Sequence, residues 1–293
     1  MSSTRLVILT ALAMLAFAGN SLLCRVALKN TGIDPASFTS IRLISAALTL
    51  WLVVRVNSKT NSGKGNWPSA FALFAYAAGF SFAYTNLSAA TGALLLFGAV
   101  QTTMITFGIW HGERLLILQL LGLALALGGL VGLTLPGLSA PPLLSSLLMI
   151  GAGAAWGIYS LRGKGAGDPT LVTAGNFLRT VPVTSALSLL MIPQISWDSA
   201  GILYAIMSGA LTSGIGYAIW YRALPALKAT QAATVQLSVP VIAAIGGIIL
   251  LNEPITLRVI LASIAIISGI ALVILEKKKT NNAQQVTPGL PPS

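Results

Sequence analysis

Charged side chains are scarce in this sequence, and that scarcity decides the class of protein. Only 8% of the 293 residues are Asp, Glu, Lys or Arg, whereas 55% are hydrophobic. Soluble domains carry about a quarter charged residues. A soluble fold is therefore excluded, and an integral membrane protein is predicted.

Cysteine and histidine occur only once each, as Cys24 and His111. A single cysteine excludes an internal disulfide, and a single histidine leaves no Cys/His cluster for a metal ion. No nucleophile–base pair can be assembled inside the apolar runs either. We therefore expect no metal, no cofactor and no enzymatic activity, with a membrane-embedded enzyme as an alternative.

Acidic residues are also few: 6 Asp and Glu stand against 17 Lys and Arg, and the net charge is +11. Such an excess can indicate nucleic-acid binding, but the basic residues stand singly between apolar runs. In that arrangement they report membrane topology. The expected partner is therefore a lipid bilayer and not a nucleic acid.

Long apolar runs fill most of the chain. A run of about 20 residues is enough to cross a bilayer as a helix, so the sequence predicts an all-α integral membrane fold of ten transmembrane helices. The polar segment 277–293, which carries Pro and Gly, is predicted to be a disordered cytoplasmic tail. The predicted spans are 6–28, 35–55, 67–86, 91–110, 115–134, 143–162, 170–191, 199–221, 229–251 and 256–275.

Two segments of the chain share one plan, which is a small-residue opening, an apolar run, a Glu at a polar break and a second apolar run. A shift of 140 positions places Glu113 on Glu253 and Gly129 on Gly269. A repeat of this length in a membrane chain indicates two five-helix halves. We predict these halves at 1–135 and 136–276.

The first apolar run has a second interpretation. Together with Arg5, its Ala16-Phe17-Ala18 sequence is similar to a secretory signal peptide with a small-residue cleavage site. Its counterpart at 143–162 favours a membrane helix instead, because cleavage would remove one element of a repeat.

Basic residues predict the orientation, because cytoplasmic ends of membrane spans carry an excess of Lys and Arg. With the amino terminus inside, most basic residues fall at cytoplasmic ends, and only Arg25, Lys29 and Arg258 fall at or near the opposite ends. Both termini are therefore predicted to be cytoplasmic. Since each half has an odd number of helices, the second half is predicted to be inverted.

Two short motifs carry a family resemblance. Gly112-Glu113-Arg114 and Asn252-Glu253-Pro254 stand at the break before the last helix of each half, and this plan resembles the EamA-type carriers of the drug/metabolite transporter (DMT) superfamily. The likeness covers residues 5–276 and extends to the YddG-type aromatic amino-acid exporters. It implies a bundle with a central cavity lined mainly by the first, third, fourth, sixth, eighth and ninth helices.

The resemblance also implies a function. It implies export of amino acids, including aromatic ones, and related small metabolites across a bacterial inner membrane by alternating access. We expect the carrier to be a monomer. A carrier of nucleotide sugars, lipids or cationic drugs on the same fold is the alternative. A nucleotide-sugar cavity would need cations for the phosphates, and only Arg42 and Arg179 could serve.

Polar residues inside the predicted spans are candidates to bind a polar substrate, because burying them in hydrocarbon is costly. Asn20, Gln101, Gln231 and Gln236 are selected on this ground. Hydrogen bonding between helices is the alternative role for each of them.

Aromatic residues inside the spans are the second group of candidates. Phe80 and Tyr84 share a face of the third helix, Trp156 and Tyr159 are one turn apart in the sixth, and Tyr217 lies in the eighth. Such rings can line an apolar cavity for an amphipathic ligand. Ordinary core packing is the alternative.

Five further residues are predicted to have gating or structural roles. Arg42 and Arg179 occupy matching places on the second and seventh helices, which the resemblance does not put at the cavity. Glu113 and Glu253 are predicted to complement the dipole of the helix that each one opens. Pro240 interrupts the ninth helix and frees a backbone carbonyl.

Glycine spacing predicts where helices approach each other. Gly128 with Gly132, and Gly153 with Gly157, have the small-xxx-small spacing of close helix packing in membranes.

The placement of the acidic residues bears on energy coupling. All of them fall at predicted span ends or in loops, so no carboxylate is expected at mid-depth to carry a proton. Facilitated transport is therefore expected. These residues are Asp34, Glu113, Asp168, Asp198, Glu253 and Glu276.

Overall fold

The computed structural model describes residues 3–57, 64–112, 116–135, 137, 140–163, 167–227 and 235–286, without the side chains of 3, 57, 225 and 273–286. All regular secondary structure in these residues is helical, which confirms the all-α prediction. The helices are α1 Ser3–Asn30, α2 Pro35–Asn57, α3 Trp67–Tyr84, α4 Ala89–Trp110, α5 Ile117–Thr134, α6 Leu143–Arg162, α7 Pro169–Leu190, α8 Ser199–Ala223, α9 Ser238–Leu251 and α10 Leu257–Val286.

The end of α10 differs from the sequence prediction. The helix continues to Val286, so 277–286 are helical where disorder was predicted. The prediction weighed the polar composition of this segment, but its run of Lys, Asn and Gln contains no Pro or Gly until after Val286. Nothing in that run stops a helix that has already started.

In the described residues, six helices are long and apolar enough to cross a membrane: Thr4–Asn30, Pro35–Val56, Ala89–Trp110, Ile117–Thr134, Leu143–Arg162 and Ser199–Ala223. The described parts of α9 and α10 add the shorter apolar segments Ser238–Leu251 and Leu257–Leu272. The outer surface fits a bilayer as well. Leu144 and Ile249 are exposed, while Asn20, Arg42 and Asn176 are buried, the reverse of a soluble protein.

The direction of the helices follows from contacts at their ends. Asn20 and Arg25 of α1 meet Tyr76 and Tyr84 of α3 in the same order, so these two helices are parallel. Helix α6 runs antiparallel to α3. Asn86 after α3 donates to Ser145 near the start of α6, and Arg162 at the end of α6 donates to Ser69.

Close helix contacts depend on glycine, but only one of the two predicted glycine pairs makes such a contact. A Cβ on Gly153 would lie 2.7 Å from Ala99, and one on Gly157 would lie 3.0 Å from Thr103, so α6 packs tightly on α4 as expected. Gly128 and Gly132 have nothing within 4 Å of an added Cβ. Their prediction is wrong because this face of α5 points away from the bundle.

The tight contact of α5 uses a different glycine. A Cβ on Gly129 would lie 2.9 Å from Ala265 of α10, and one on Gly269 would lie 2.7 Å from the backbone nitrogen of Ala126. The two glycines that the predicted repeat aligns therefore each meet the other's helix. This reciprocal contact joins α5 and α10 along their length.

Helix α8 contains a wider segment. Residues Ser208–Ile215 form a π-helix between two α-helical parts. Gly209 in this segment lies against the backbone carbonyl of Arg42, where no side chain would fit. π-helical turns are rare and occur often at functional sites, and this one faces the centre of the bundle through Thr212 and Ser213.

The two motif glutamates follow residues with left-handed backbone. Gly112 has φ 89° and ends α4, and Asn252 has φ 49° and ends α9. Gly and Asn are the residues that adopt this helix-ending conformation most readily. At the second break, the Glu253 N–H donates to the Gly247 carbonyl at 3.1 Å, which turns the Glu253 side chain back into the bundle.

The carboxylate of Asp34 accepts hydrogen bonds from the start of α2 and from the loop before α8. Asp34 accepts hydrogen bonds from the backbone N–H groups of Ala36 and Ser37, both at 2.9 Å, and from Ser196 N–H at 3.1 Å. Partial burial alone would raise the pKa of Asp34, but these hydrogen bonds favour the charged form and hold its pKa below the usual value. The α1–α2 and α7–α8 connections are thereby joined.

Candidate substrate cavity

A small cavity lies at the centre of the bundle, between α1, α3, α4, α6, α8 and the segment before α9. Its volume is about 30 Å³, which is room for about one or two water molecules. These are the helices that the resemblance implies. The cavity is lined by Phe17, Asn20, Ser21, Tyr76, Phe80, Leu96, Phe97, Trp156, Thr212, Ser213, Tyr217 and Gln236.

Aromatic residues make up half of the twelve lining residues, and Trp156 is at their centre. Its ring centroid lies 4.8 Å from that of Tyr76 and 5.2 Å from that of Tyr217. Phe17 packs edge-on against Tyr217 at 5.7 Å, and Phe80 packs on Tyr76 at 5.5 Å. Four helices thus contribute rings to one surface, which suits an apolar or aromatic group.

A chain of hydrogen bonds crosses the same cavity and starts at Asn20. Its amide nitrogen donates to the Tyr76 hydroxyl at 3.2 Å, and its amide oxygen accepts from Ser208 at 2.7 Å and from Thr212 at 3.3 Å. The π-helical segment of α8 supplies both hydroxyls. Asn20 therefore links α1, α3 and α8 at the point where they surround the cavity.

Arg42 lies directly behind this wall. Its Nη2 donates to the Tyr76 hydroxyl at 3.1 Å. The centre of its guanidinium is 4.8 Å from the ring centroid of Phe80 and 5.3 Å from that of Tyr76. Only 2% of Arg42 is exposed, and both rings that it contacts line the cavity.

The structure brings five of the nine sequence-predicted binding residues to the cavity and places three of the others away from it. Asn20, Phe80, Trp156, Tyr217 and Gln236 line it. The remaining four are Tyr84, Tyr159 and Gln101, which are buried but do not line it, and Gln231, which lies outside the described residues.

The hydroxyl groups of the two buried tyrosines are directed to other helices or turns. Tyr84 donates to the Ala89 carbonyl at 3.4 Å. Tyr159 donates to Thr173 at 3.5 Å and accepts from Asn176 at 3.4 Å. Both tyrosines therefore act as packing residues behind the aromatic wall in this conformation.

Several lining residues were not predicted from the sequence. Tyr76 has a signal, because it precedes Phe80 by four residues and extends the same helix face. In the sequence, Phe17 belongs to a possible signal-peptide cleavage site, which gives no indication of a cavity. Thr212 and Ser213 have no such signal, since a π-helical segment changes which residues share a face.

An ion pair closes one end of the bundle. Arg25 of α1 donates through Nε to Oε1 of Glu253 at 2.8 Å. Nη1 of Arg25 also donates to the carbonyls of Tyr84 and Thr85 at the end of α3. Oε2 of Glu253 accepts the Ala89 N–H at 2.7 Å.

This geometry corrects the role predicted for Glu253. The sequence predicts that Glu253 complements the dipole of the helix that follows it, α10. It instead caps α4, because the left-handed Asn252 directs the Glu253 side chain towards Ala89. Its motif counterpart Glu113 lies outside the described residues.

The other predicted structural residues have local roles. Arg179 donates through Nη1 to the Gly175 carbonyl of its own helix at 2.8 Å. Pro240 lies in the first turn of α9, where its missing N–H leaves no hydrogen bond unmade. The interruption of this helix is at Leu237, just before that turn.

A larger cavity of about 270 Å³ lies between α4, α9 and α10. Apolar side chains such as Leu94, Val241 and Ile264 line it, and Ser263 is its one hydroxyl. It offers no charged or amide group to orient a polar solute. Within the described residues, no group of three or more His, Cys, Asp or Glu could hold a metal ion.

Comparison with known sequences gives two consistent results. The model of the EamA-like transporter family matches the chain twice, over residues 4–135 and 143–275. An uncharacterised protein of Pseudomonas aeruginosa is 55% identical over 275 residues, which is 94% of this chain and 96% of the relative.

A more distant relative and a solved structure add to this. The threonine/homoserine exporter RhtA of Escherichia coli K12 is 30% identical over 125 residues, or 42% of each chain. One crystal structure superposes with a TM-score of 0.66 over 94% of this chain and 99% of that chain, at 16% sequence identity. That likeness shows a shared fold.

Proposed function

Because this chain belongs to the EamA-like transporter family, we propose that it exports amino acids and related small metabolites across a bacterial inner membrane. Aromatic amino acids are among the proposed substrates. Both termini are cytoplasmic in this proposal, and the carrier works as a monomer.

The observation that carries the proposal is the combination of groups around the central cavity. Rings of Phe17, Trp156 and Tyr217 provide an apolar surface for a side chain. The amide of Asn20 and the hydroxyls of Thr212 and Ser213 provide hydrogen-bonding groups at the same cavity. An amino acid is a small molecule that needs both kinds of surface.

The named relative supports the same substrate class. RhtA is a threonine/homoserine exporter and shares 30% identity with part of this chain. Threonine is smaller and more polar than an aromatic amino acid, so both kinds of substrate belong in the first assay.

Alternating access requires two arrangements of the helices, and the proposed mechanism uses two inverted five-helix halves. Three observations support these halves. The family model matches the chain twice, Gly112 and Asn252 have left-handed backbone at equivalent breaks, and α6 runs antiparallel to α3 and hence to α1.

The size of the cavity makes the structure a closed state in this mechanism. A volume of about 30 Å³ is far below the roughly 300 Å³ at which ligand pockets begin. Helices must therefore separate before a substrate enters. The π-helical segment of α8 and the break at Leu237 before α9 are the places where the backbone departs from regular α-helix beside the cavity.

Counterflow in proteoliposomes tests the proposal. Vesicles preloaded with unlabelled L-threonine or L-phenylalanine should accumulate the corresponding labelled amino acid, whereas protein-free vesicles should not. A nucleotide sugar, a lysophospholipid and a quaternary ammonium drug test the other substrate classes in the same format. Counterflow of one of these, without any amino-acid counterflow, would contradict the proposal.

A further inference from the structure

Arg42 is the most deeply buried cation in the part of the chain that the structure describes. It is 2% exposed, and it is the largest of the fully buried side chains. It lies on α2, where Gly209 of α8 packs against its backbone carbonyl. A long side chain with a formal charge is thus enclosed among α2, α3 and α8.

The charge of Arg42 is not neutralised by the described residues. Among them the ion pair is Arg25–Glu253, and it does not involve Arg42. Two of the three guanidinium nitrogens of Arg42, Nε and Nη1, have no hydrogen-bond acceptor. The described contacts of its guanidinium are one tyrosine hydroxyl and the faces of two aromatic rings.

Such an arrangement lowers the stability of the folded protein. A buried charge without a partner is strongly destabilising, and ring faces compensate only part of that cost. Each edge of a guanidinium that binds both oxygens of a carboxylate pairs Nη2 with either Nε or Nη1. Nη2 carries two hydrogens and Tyr76 takes one of them, so the second Nη2 hydrogen and the free Nε–H or Nη1–H can bind a carboxylate together. An anion of that shape would complete the surroundings of Arg42.

The cation is also close to the proposed substrate. Arg42 packs against the rings of Tyr76 and Phe80, and both of these residues line the cavity. The Tyr76 hydroxyl accepts hydrogen bonds from Arg42 and from Asn20. A small rotation of the Tyr76 ring, or a separation of α2 from α3, would open a path between the cavity and the guanidinium.

We propose that Arg42 is the carboxylate-binding residue of the cavity. The inference deepens the proposed function, on which it rests for the identity of the substrate as an amino acid. In the closed state Tyr76 holds the guanidinium. When substrate enters, its carboxylate takes the free N–H groups of Arg42, while its side chain packs on the rings around Trp156.

Arg179 serves as the matched control. It occupies the corresponding helix of the second half, but it donates to the carbonyl of Gly175 at 2.8 Å and does not line the cavity. Both arginines carry the same charge. Only Arg42 combines full burial, unpaired nitrogens and contact with the cavity wall.

The first test uses the unaltered protein and needs no variant. Counterflow of labelled L-phenylalanine is measured against unlabelled L-phenylalanine and against L-phenylalaninamide, which lacks the carboxylate. We expect that about tenfold more amide, or more than that, is needed for equal competition. The reason is the loss of a hydrogen bond to a charged group. Equal competition by the amide would overturn the inference and leave amino-acid transport intact.

The second test uses Arg42→Met, Arg42→Lys and Arg179→Met. Arg42→Met should abolish the preference for acid over amide, Arg42→Lys should keep part of it, and Arg179→Met should leave it unchanged. A preference that survives in Arg42→Met would overturn the inference. If Arg42→Met does not fold, Arg42→Lys and the competition in the unaltered protein decide.

A third arm separates the inference from the proposed function. Purified protein in detergent is heated with 3-phenylpropionate, a carboxylate that has no amino group. Stabilisation that is weakened in Arg42→Lys and lost in Arg42→Met supports a carboxylate site at Arg42 even if no amino acid is transported. Amino-acid transport combined with no Arg42-dependent carboxylate effect supports the proposed function and refutes the inference.

Discussion

Arg25 and Glu253 join the first helix of the chain to the turn before its last helix, with 2.8 Å between Nε and Oε1. Arg25 lies five residues after Asn20 on α1, or about 7.5 Å along the helix. The pair is therefore one to two turns from the cavity. Because Arg25 also holds the end of α3 and Glu253 holds the start of α4, it fastens four elements at one end of the bundle.

Breaking this pair should loosen that end of the protein. Glu253→Ala leaves Nε of Arg25 and the Ala89 N–H without their acceptor, and breaking a buried pair costs about 3 kcal/mol. The melting temperature in detergent should fall accordingly. Cys24, the single cysteine, is next to Arg25 and completely buried, so a maleimide should modify it faster in the variant.

Arg258→Met is the comparison for this experiment. Arg258 is a half-buried cation near the same end, and it donates to the Leu135 carbonyl. Its loss should leave the rate of Cys24 modification unchanged. A Glu253→Ala variant with unchanged melting and unchanged Cys24 labelling would show that the pair does not hold this end closed.

Trp156→Ala should weaken the binding of aromatic substrates more than it weakens the fold. Trp156 is partly buried at the cavity, with Tyr76 and Tyr217 as ring neighbours. An aromatic contact contributes about 0.5–1.5 kcal/mol beyond burial, so affinity for L-phenylalanine should fall by up to about tenfold. Competition in the counterflow assay measures the change.

Tyr84→Ala should weaken the fold more than it weakens the binding of substrate. Tyr84 is 0% exposed, and its ring lies 4.7 Å from that of Phe80 behind the cavity. Removing a buried aromatic ring costs about 3–5 kcal/mol, so folded protein in detergent should be lost first. A well-folded Tyr84→Ala variant with a specific binding defect would place Tyr84 at the substrate instead.

Glycines on α5 and α10 predict a contrast in stability. Gly129→Leu and Gly269→Leu should destabilise the protein by about 1–3 kcal/mol each, as overpacking does, because both glycines touch the partner helix. Gly128→Leu and Gly132→Leu are matched controls on α5 with open space around the new side chain. Thermal unfolding in detergent distinguishes the two pairs, and equal losses would contradict the packing of α5 on α10.

Much of the fold could be predicted from the sequence, because long apolar runs and the paired Glu motifs are local signals. The end of α10 and the partner of Glu253 could not. Which helix a carboxylate caps depends on the tertiary arrangement, and Ala89 is far from Glu253 in the chain.

The cavity was predicted only in part, because some of its residues have a local signal and others depend on tertiary packing. Phe80 and Trp156 stand out as aromatic residues inside apolar spans. Arg42 was assigned a gating or structural role, because the resemblance does not put its helix at the cavity. Its contact with Tyr76 depends on how α2 packs against α3, which periodicity cannot show.

Topology can be tested with reporter fusions. Fusions after Lys64, Lys164 and Lys279 should report the cytoplasm, and fusions near Ser139 and Gln194 should report the opposite side. The prediction follows from the distribution of Lys and Arg. A signal from outside after Lys164 would contradict the inverted second half.

The last prediction concerns the energy source for transport. Three acidic residues have local structural roles, since Asp34, Asp168 and Asp198 accept backbone N–H groups at the starts of α2, α7 and α8. The Glu253 carboxylate is held by Arg25 and Ala89. In the described side chains, therefore, no carboxylate lines the cavity to carry a proton.

Without such a group, transport should follow the substrate gradient alone. Arg42 cannot serve as a proton carrier, because a guanidinium stays protonated in proteins. Net flux of a zwitterionic amino acid should then respond little to an imposed pH difference or voltage, since no net charge and no proton crosses with it. Net flux in liposomes, with a pH gradient applied in either direction, measures this. Concentrative uptake that collapses on adding an uncoupler would contradict the prediction and direct attention to Glu253, the one buried carboxylate in the described part of the chain.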